Sequence, residues 1–389
     1  MATTINANNT DGVVITPDTS GELELQANGV TKAKVTANGL QDANGASLRG
    51  GSYRNLIING NMQIAQRGTS SAGITGDGYH TVDRFYTVLT TGGTWTQSQD
   101  TDAPSGFGSS LKMSCTTANA SLSANSRLYI TTKLEGQNLQ HPKFGTSSAE
   151  KITLSFWVKS NKTGTYVINY YNADNVKSNG KTYTINSANT WEKKTITVDG
   201  DIASGFDNDN NYSLAVYFWM LAGTDWTSGT FDNGTWNSYV KANFCSSSQV
   251  NLADSTSNYI NITGVQLEVG EGASDFEHLP YDVQLQRCQR YFQTITTGIG
   301  VVGAGMAYST TSAYYVVDFM TPMRAGPVAD MTGDFRYYRG GSSALTSTFA
   351  LSNTTLYKTR LSITGSGLRT GEGSWLQTDG GPLAMDAEL

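Results

Sequence analysis

Apolar and polar positions alternate with a period of two along most of this 389-residue chain. That spacing sets one side of an extended strand on a core and the other in water. Between residues 51 and 280 it marks eight strand segments, at 53–58, 84–89, 126–134, 152–159, 166–171, 190–198, 212–221 and 259–269. Turn-forming clusters separate them, among them Asn61, Gly92-Gly93, the run 161–164 and the run 207–211. Many strands, regular turns and no long amphipathic helix predict an all-β jelly-roll sandwich. Trp157, Trp191 and Trp219 fall in these segments and read as core residues.

The pattern changes on either side. Residues 1–50 have no aromatic residue, and Leu23-Glu24-Leu25-Gln26 and Lys32-Ala33-Lys34-Val35 alternate around Asn28-Gly29, a hairpin signal. So polar a segment buries little surface alone, which predicts a β stalk stabilised by copies of itself or by another protein; the other reading is a flexible tail. Over 281–293 the period becomes helical, with Leu285, Cys288 and Phe292 on one stripe and Asp282 as the cap of a connector helix. Residues 294–389 return to alternation at 314–319, 335–338, 347–351 and 357–363, predicting a smaller C-terminal β domain. The expected division is 1–50, 51–280, 281–293 and 294–389.

Composition narrows the class. Charged residues are 15% of the chain, against about 25% in an ordinary domain. The net charge is -6, without the basic stripe that nucleic-acid binding requires. No apolar run approaches the roughly 20 residues of a membrane-spanning helix, so neither nucleic acid nor membrane insertion is expected. Cys115, Cys245 and Cys288 have neither disulfide nor zinc spacing and read as buried thiols of a reducing compartment. The start of the chain reads without a secretory leader.

Catalytic motifs are weak. Gly298-Ile299-Gly300-Val301-Val302-Gly303 has dinucleotide-motif spacing but the wrong context, with a helix before it and strand text after. His80, His141 and His278 are isolated. Asp225 and Asp232 flank an aromatic loop where a glycan-cleaving pair would stand, and the oxygen-rich 207–211 run has no calcium-loop pattern. No catalytic residue, metal or cofactor is assigned. The better candidates are for binding sugar: Trp226, Asp232, Asn233, Trp236, Asn237 and Tyr239, since flat rings stack on sugar faces and Asn or Asp orient hydroxyls. Trimer packing is the competing use of these aromatics. A second candidate is Tyr337-Tyr338-Arg339 with its nearby glycines.

Two sets of residues carry a family resemblance. One is Asn55-Leu56-Ile57-Ile58-Asn59-Gly60-Asn61-Met62-Gln63 with Gln66-Arg67-Gly68 and Val82-Asp83-Arg84-Phe85. The other is Ile262-Thr263-Gly264-Val265-Gln266-Leu267-Glu268-Val269-Gly270 with Phe276-Glu277, Pro280-Tyr281 and Arg287-Cys288-Gln289-Arg290-Tyr291-Phe292. With the final Asp386-Ala387-Glu388-Leu389 and the text around Leu25 to Val30, they resemble phage tail-fibre and tail-associated proteins. Phe156-Trp157-Val158-Lys159 and the borders of the middle region also resemble carbohydrate-binding-module sandwiches. Their first and last strands lie together and can share calcium; here Met62 and Gln63 stand where an acidic residue is usual.

The resemblance implies a virion tail fibre, folded in the host cytoplasm, that forms a homotrimer. Residues 1–50 would attach it to other phage tail proteins, and it would bind bacterial surface polysaccharide or lipopolysaccharide. The alternatives are a structural tail component without receptor binding and a polysaccharide depolymerase.

Overall fold

A computed structural model describes residues 23–27, 29–36, 39–43, 54–340 and 342–389, and it is all-β. In the N-terminal region, Leu23–Ala27, Val30–Thr36 and Gly39–Asp42 form an antiparallel three-stranded sheet, with Gly29 in the turn at φ 73°. The side chains of Leu25, Val30, Val35 and Leu40 are exposed. The expected attachment role of residues 1–22 and 44–50 lies outside the described residues.

Two antiparallel sheets form the central sandwich. One has the order Glu192–Val198, Ile152–Ser160, Tyr259–Val269, Ser110–Thr117, Thr94–Asp100, Ser70–Ile74. The other runs Asn237–Ser238, Lys177–Ile185, Gly164–Asn172, Tyr212–Ala222, Arg127–Glu135, Tyr86–Thr90, Gly78–Tyr79. Alternate residues interdigitate between them, with Phe156 edge-on to Phe218 at 5.2 Å and Trp95, Tyr166 and Tyr170 fully buried. Each such burial is worth about 1.5–3 kcal/mol before entropy is charged against it. The phase of alternation corrects the reading of two tryptophans. Phe156 and Val158 point inward, so Trp157 stands half-buried on the outer face, as does Trp191, whose Nε1 donates to Asp102 at 3.0 Å. Trp219 is fully buried, but under a loop on the outer face of its sheet.

The segment expected as a strand at 53–58 is irregular over its described residues. The Asn55 side chain takes over the pairing there. Its Oδ1 accepts from Leu267 N at 3.1 Å and Ile57 N at 3.0 Å, and its Nδ2 donates to Val265 O at 3.0 Å. The beginning and end of the sandwich still lie together, through Leu56 N to Leu267 O at 2.9 Å and Val265 N to Gly60 O at 2.8 Å. A Cβ on Gly60 would sit 1.9 Å from that Val265 oxygen, so only glycine fits.

The helix is Tyr281–Gln289, shorter than the expected 283–293. Pro280 takes the cap position, Asp282 falls in the first turn, and Phe292 already belongs to the strand Phe292–Thr296. The buried helical residues are Gln284, Cys288 and Gln289, so Leu285 and Phe292 do not form a buried helical stripe. Phe292–Thr296 joins Leu383–Asp386 and Val328–Met331 in a small sheet. Opposite lies a sheet ordered Ser342–Thr346, Asp334–Arg339, Gly373–Asp379, Val301–Ala307, Ser312–Asp318, Lys358–Thr364, Phe349–Ser352. A second core holds them together around Tyr315, Phe335, Tyr337, Leu361, Leu376 and Met385. The 298–303 glycine motif leads into the strand Val301–Ala307, as its context predicts.

Candidate functional site

Several of the residues that carry the family resemblance, Arg67, Arg84, Arg290, Tyr291, Phe292, Asp386 and Glu388, converge at one junction between the central sandwich and the C-terminal unit. Arg84, at φ 73° and 1% exposed, ion-pairs with Glu388 and donates to Lys133 O at 2.7 Å. Its guanidinium carbon lies 3.5 Å from the centre of the Tyr291 ring. Arg67 pairs with Asp386 at 2.9 Å and lies 3.6 Å over Phe292. Glu135, fully buried, accepts from Arg290 at 2.8 and 2.7 Å and from the Tyr291 hydroxyl. Burial pushes the Glu135 pKa upward, yet the hydrogen bonds from Arg290 and Tyr291 hold it below the usual carboxylate value. Asp83 has no such cation at contact; burial raises its pKa to about 6 despite hydrogen bonds from Gln66. The 207–211 turn belongs to the same junction, since Asn210 and Arg324 exchange hydrogen bonds at 2.7 and 3.0 Å. These contacts hold the two units together and consume the polar atoms that make them.

The three cysteines are free and buried, and burial pushes the Cys245 and Cys288 thiols well up. Among the described residues, no group of three or more His, Cys, Asp or Glu is placed to hold a metal ion. Where calcium would sit by resemblance, Met62 is buried in the core, and Glu268 accepts hydrogen bonds from Gln266 and Ser274. These residues do not fit a cation.

A more open arrangement lies on the outer face of the seven-stranded sheet of the sandwich. Leu128, Ile130 and Leu134 point inward from the Arg127–Glu135 strand, so Tyr129, Thr131 and Lys133 point outward. The same logic turns out Tyr217 and Trp219, Val167, Asn169 and Tyr171, and Tyr86 and Val88. Register aligns them across strands: Tyr86 opposite Thr131, Thr131 opposite Tyr217, Tyr217 opposite Asn169. Tyr129 and Tyr217 meet edge-on at 5.0 Å, and Tyr171 meets Tyr239 at 5.5 Å. The Lys133 ammonium lies 5.3 Å from the Tyr86 ring and 5.0 Å from Tyr212. Burial raises the phenol pKa values of Tyr86, Tyr171, Tyr212 and Tyr239, keeping them neutral donors at physiological pH. The Thr131 hydroxyl is buried in this row and has no hydrogen-bond partner.

The six candidates from the sequence occupy different places around this face. Trp226 is buried under its loop, packed on Trp219 at 5.6 Å, and its Nε1 has no partner. Tyr239 borders the open row, between Tyr171 and Phe244. Asp232 is buried and accepts from Ser178 at 3.1 Å and Asn237 at 2.9 Å, while Asn233 is exposed beside it. Trp236 caps a separate edge, against Phe144 at 5.6 Å, with Nε1 donating to Asp199 O at 2.8 Å. Asp225 pairs with Lys241 at 2.7 Å, so the two carboxylates weighed as a cleaving pair have different partners. Sequence reasoning missed Tyr86, Thr131, Tyr171 and Tyr217 because it sought sugar-binding residues in an aromatic loop and read the strand tryptophans as core. The signal was present: each stands one residue out of phase with its inward-pointing neighbours.

No protein-family model matches the sequence, and no curated protein matches it. Solved structures with distant likeness include the enzymatically active domain of tailspike protein 4 from bacteriophage CBA120, at 14% identity and TM-score 0.29, over 56% of this chain and 22% of that one. Another is the family 11 carbohydrate-binding module of Lic26A-Cel5E from Clostridium thermocellum, at 13% identity and TM-score 0.25, over 53% and 99%. A family 30 carbohydrate-binding module stands at 10% identity and TM-score 0.26, over 59% and 91%. Likeness this distant says nothing of what this chain binds.

Proposed function

We propose that this chain is a phage tail fibre that holds bacterial surface glycan on the outer face of its central sandwich. The observation that carries the binding half is the tyrosine row itself. Tyr86, Tyr217 and Tyr171 stand half-buried on adjoining strands, around a buried Thr131 hydroxyl that lacks a partner. Strands are spaced about 4.8 Å apart, so Tyr86 and Tyr217, with Thr131 on the strand between them, stand roughly two sugar rings apart. An unpaired buried hydroxyl costs free energy that a sugar hydroxyl recovers. The virion half is supported by the family resemblance of the junction segments. The homotrimer half is supported by Leu25, Val30, Val35 and Leu40, which a single chain leaves exposed. The reading is of an adhesin that turns nothing over.

The full chain is expected to compete with phage for adsorption to host cells, and Tyr171→Ala with Tyr86→Ala to reduce that competition at least tenfold. Light scattering is expected to give three copies. Undiminished competition by the double variant overturns the sheet-face site; a monomer overturns the trimer. A second reading has its own observation: the resemblance residues at the junction serve architecture, which favours a structural tail component. In that case the wild-type chain binds phage proteins and fails to compete at all. Release of reducing ends from host polysaccharide is the outcome expected only of a depolymerase.

A further inference from the structure

The seven-stranded sheet of the C-terminal unit turns several large apolar side chains to its outer face, and strand phase places them together. Val316 lies between the buried Tyr315 and Val317, and Trp375 between the buried Ser374 and Leu376. They remain 55% and 41% exposed. Met306 is exposed and precedes the buried Ala307. Leu345 is exposed and follows Ala344, which packs on the second core. Register runs across the same face, with Tyr338 opposite Trp375, Trp375 opposite Ala304, and Met306 opposite Tyr314. Tyr338 stacks on Trp375 at 4.3 Å, and Tyr308 on Tyr314 at 4.9 Å.

The charged groups of this face have partners within it. Arg336 pairs with Asp379 at 2.6 Å and Lys358 with Asp318 at 3.5 Å. Arg360 donates to the Ser352 hydroxyl and lies 4.4 Å over Tyr314. A face without a large charge of one sign meets its own copy without repulsion. Size points the same way. The five strands from Ser342–Thr346 to Ser312–Asp318 have five to seven residues each. At about 4.8 Å between strands they cover on the order of 500 Å². Two such faces bury about 1,000 Å² together, the size at which specific protein interfaces begin. A sugar stacked on Trp375 would leave Leu345, Met306 and Val316 in water, whereas a facing sheet covers all four. The N-terminal sheet likewise exposes Leu25, Val30, Val35 and Leu40, and a copy of the chain brings a match to both surfaces.

We propose that copies of this chain pack against one another through the outer face of the C-terminal sheet. Met306, Val316 and Trp375 form the centre of the contact, and the two ion pairs lie to one side of them. The small Ala304 between Trp375 and Val316 lets the facing sheets come close. The number of copies, three, rests on the homotrimer proposed above, and the surface does not. Association removes the exposed indole and the aliphatic side chains around it from water, which is its driving force.

The test uses the full chain in a dilution series, with mass read by light scattering. Wild type is expected as three copies at micromolar concentration. Met306→Glu with Val316→Glu is expected to raise the concentration at which copies separate at least tenfold, and Met306→Ser with Val316→Ser to raise it less. Ile202→Glu, at an exposed apolar position on the sandwich, is expected to leave it unchanged. Unchanged circular dichroism of the glutamate variant separates lost contact from lost fold. Acrylamide quenching of Trp375, isolated as the difference between wild type and Trp375→Phe, is expected to fall as copies associate. Three copies that the glutamate variant leaves intact overturn the surface and spare the homotrimer. Two copies that it separates support the surface and overturn the homotrimer. A wild-type monomer overturns both. Lost adsorption competition without a change of mass gives the face to the host and overturns the contact between copies.

Discussion

The central sandwich and the C-terminal unit solve the same problem with different success. In the sandwich, sheets of six and seven strands face each other, and among the described residues 54–270 the exposed large apolar side chains are Val176, Ile202 and Val240. In the C-terminal unit, a seven-stranded sheet has only a three-stranded sheet opposite. Its outer side leaves Met306, Val316, Leu345 and Trp375 exposed, and Ile299 and Tyr308 are exposed nearby. Cover on the outer face explains the difference: in the sandwich, the loop bearing Trp226 and Phe244 packs on the outer side of the seven-stranded sheet, whereas these residues of the C-terminal sheet stay exposed. Each unit has its own core, and the C-terminal unit, whose core is the smaller, is expected to depend more on the junction.

Breaking the junction is the strongest way to test that dependence. Arg84→Ala leaves Glu388 with Arg67 alone, at 3.4 Å, and Lys133 O without its donor, and is expected to cost about 3 kcal/mol, read as a separate early unfolding transition of the C-terminal unit in urea. A single unshifted transition would show that the second core stands alone. Inside the sandwich, Asn59 at φ 61° donates to Ile64 O and Asp83 O and accepts from Ile64 N. Asn59→Ala leaves these groups unpaired and is expected to cost about 1–3 kcal/mol, spread over the main transition rather than the early one.

Acidity sharpens the comparison in two opposed limbs. The Asp83 carboxyl is raised by burial from 3.8 to about 6, so keeping it charged costs stability that grows as pH rises between those values and is constant above. The Glu135 carboxyl is held below its ordinary 4.5, so its contribution is complete above that pH and is lost as pH falls through the folded value. Melting temperature is therefore expected to rise slightly on acidification through about pH 6, then fall below 4.5. Asp83→Asn flattens the first limb and Glu135→Gln the second. The smallest effect expected is that of Val316→Thr, within about 0.5 kcal/mol for a single chain because the residue is already exposed. A larger loss that depends on protein concentration would place that face between copies.

Most strands of the sandwich were legible from alternating large apolar residues, and Tyr259–Val269 lies where the pattern sets it, but Ser110–Thr117 was missed although Leu111, Met113 and Cys115 alternate inward. Ser70–Ile74, Thr94–Asp100 and Lys177–Ile185 were not legible, because their inward positions are partly polar. Gln97, for example, is fully buried and bonds with Thr81 and Thr87, a satisfaction visible only once three segments meet. The candidate site was half legible. Composition and turns directed attention to loop aromatics such as Trp226 and Trp236, while the open row depends on phase and cross-strand register, which no single strand displays. The resemblance residues were in view, but that Arg67 and Arg84 both meet Glu388 was not, since 321 and 304 positions separate them.

The pairing of Arg84 with Glu388 spans 304 positions of the chain. During synthesis the arginine emerges long before its counter-charge, and ribosomes add on the order of 5–20 residues per second. For many seconds the sandwich assembles around a guanidinium that has no anion to meet. The junction therefore closes late in synthesis. A chain truncated before residue 386 is expected to keep an unneutralised guanidinium at the surface where the second unit docks.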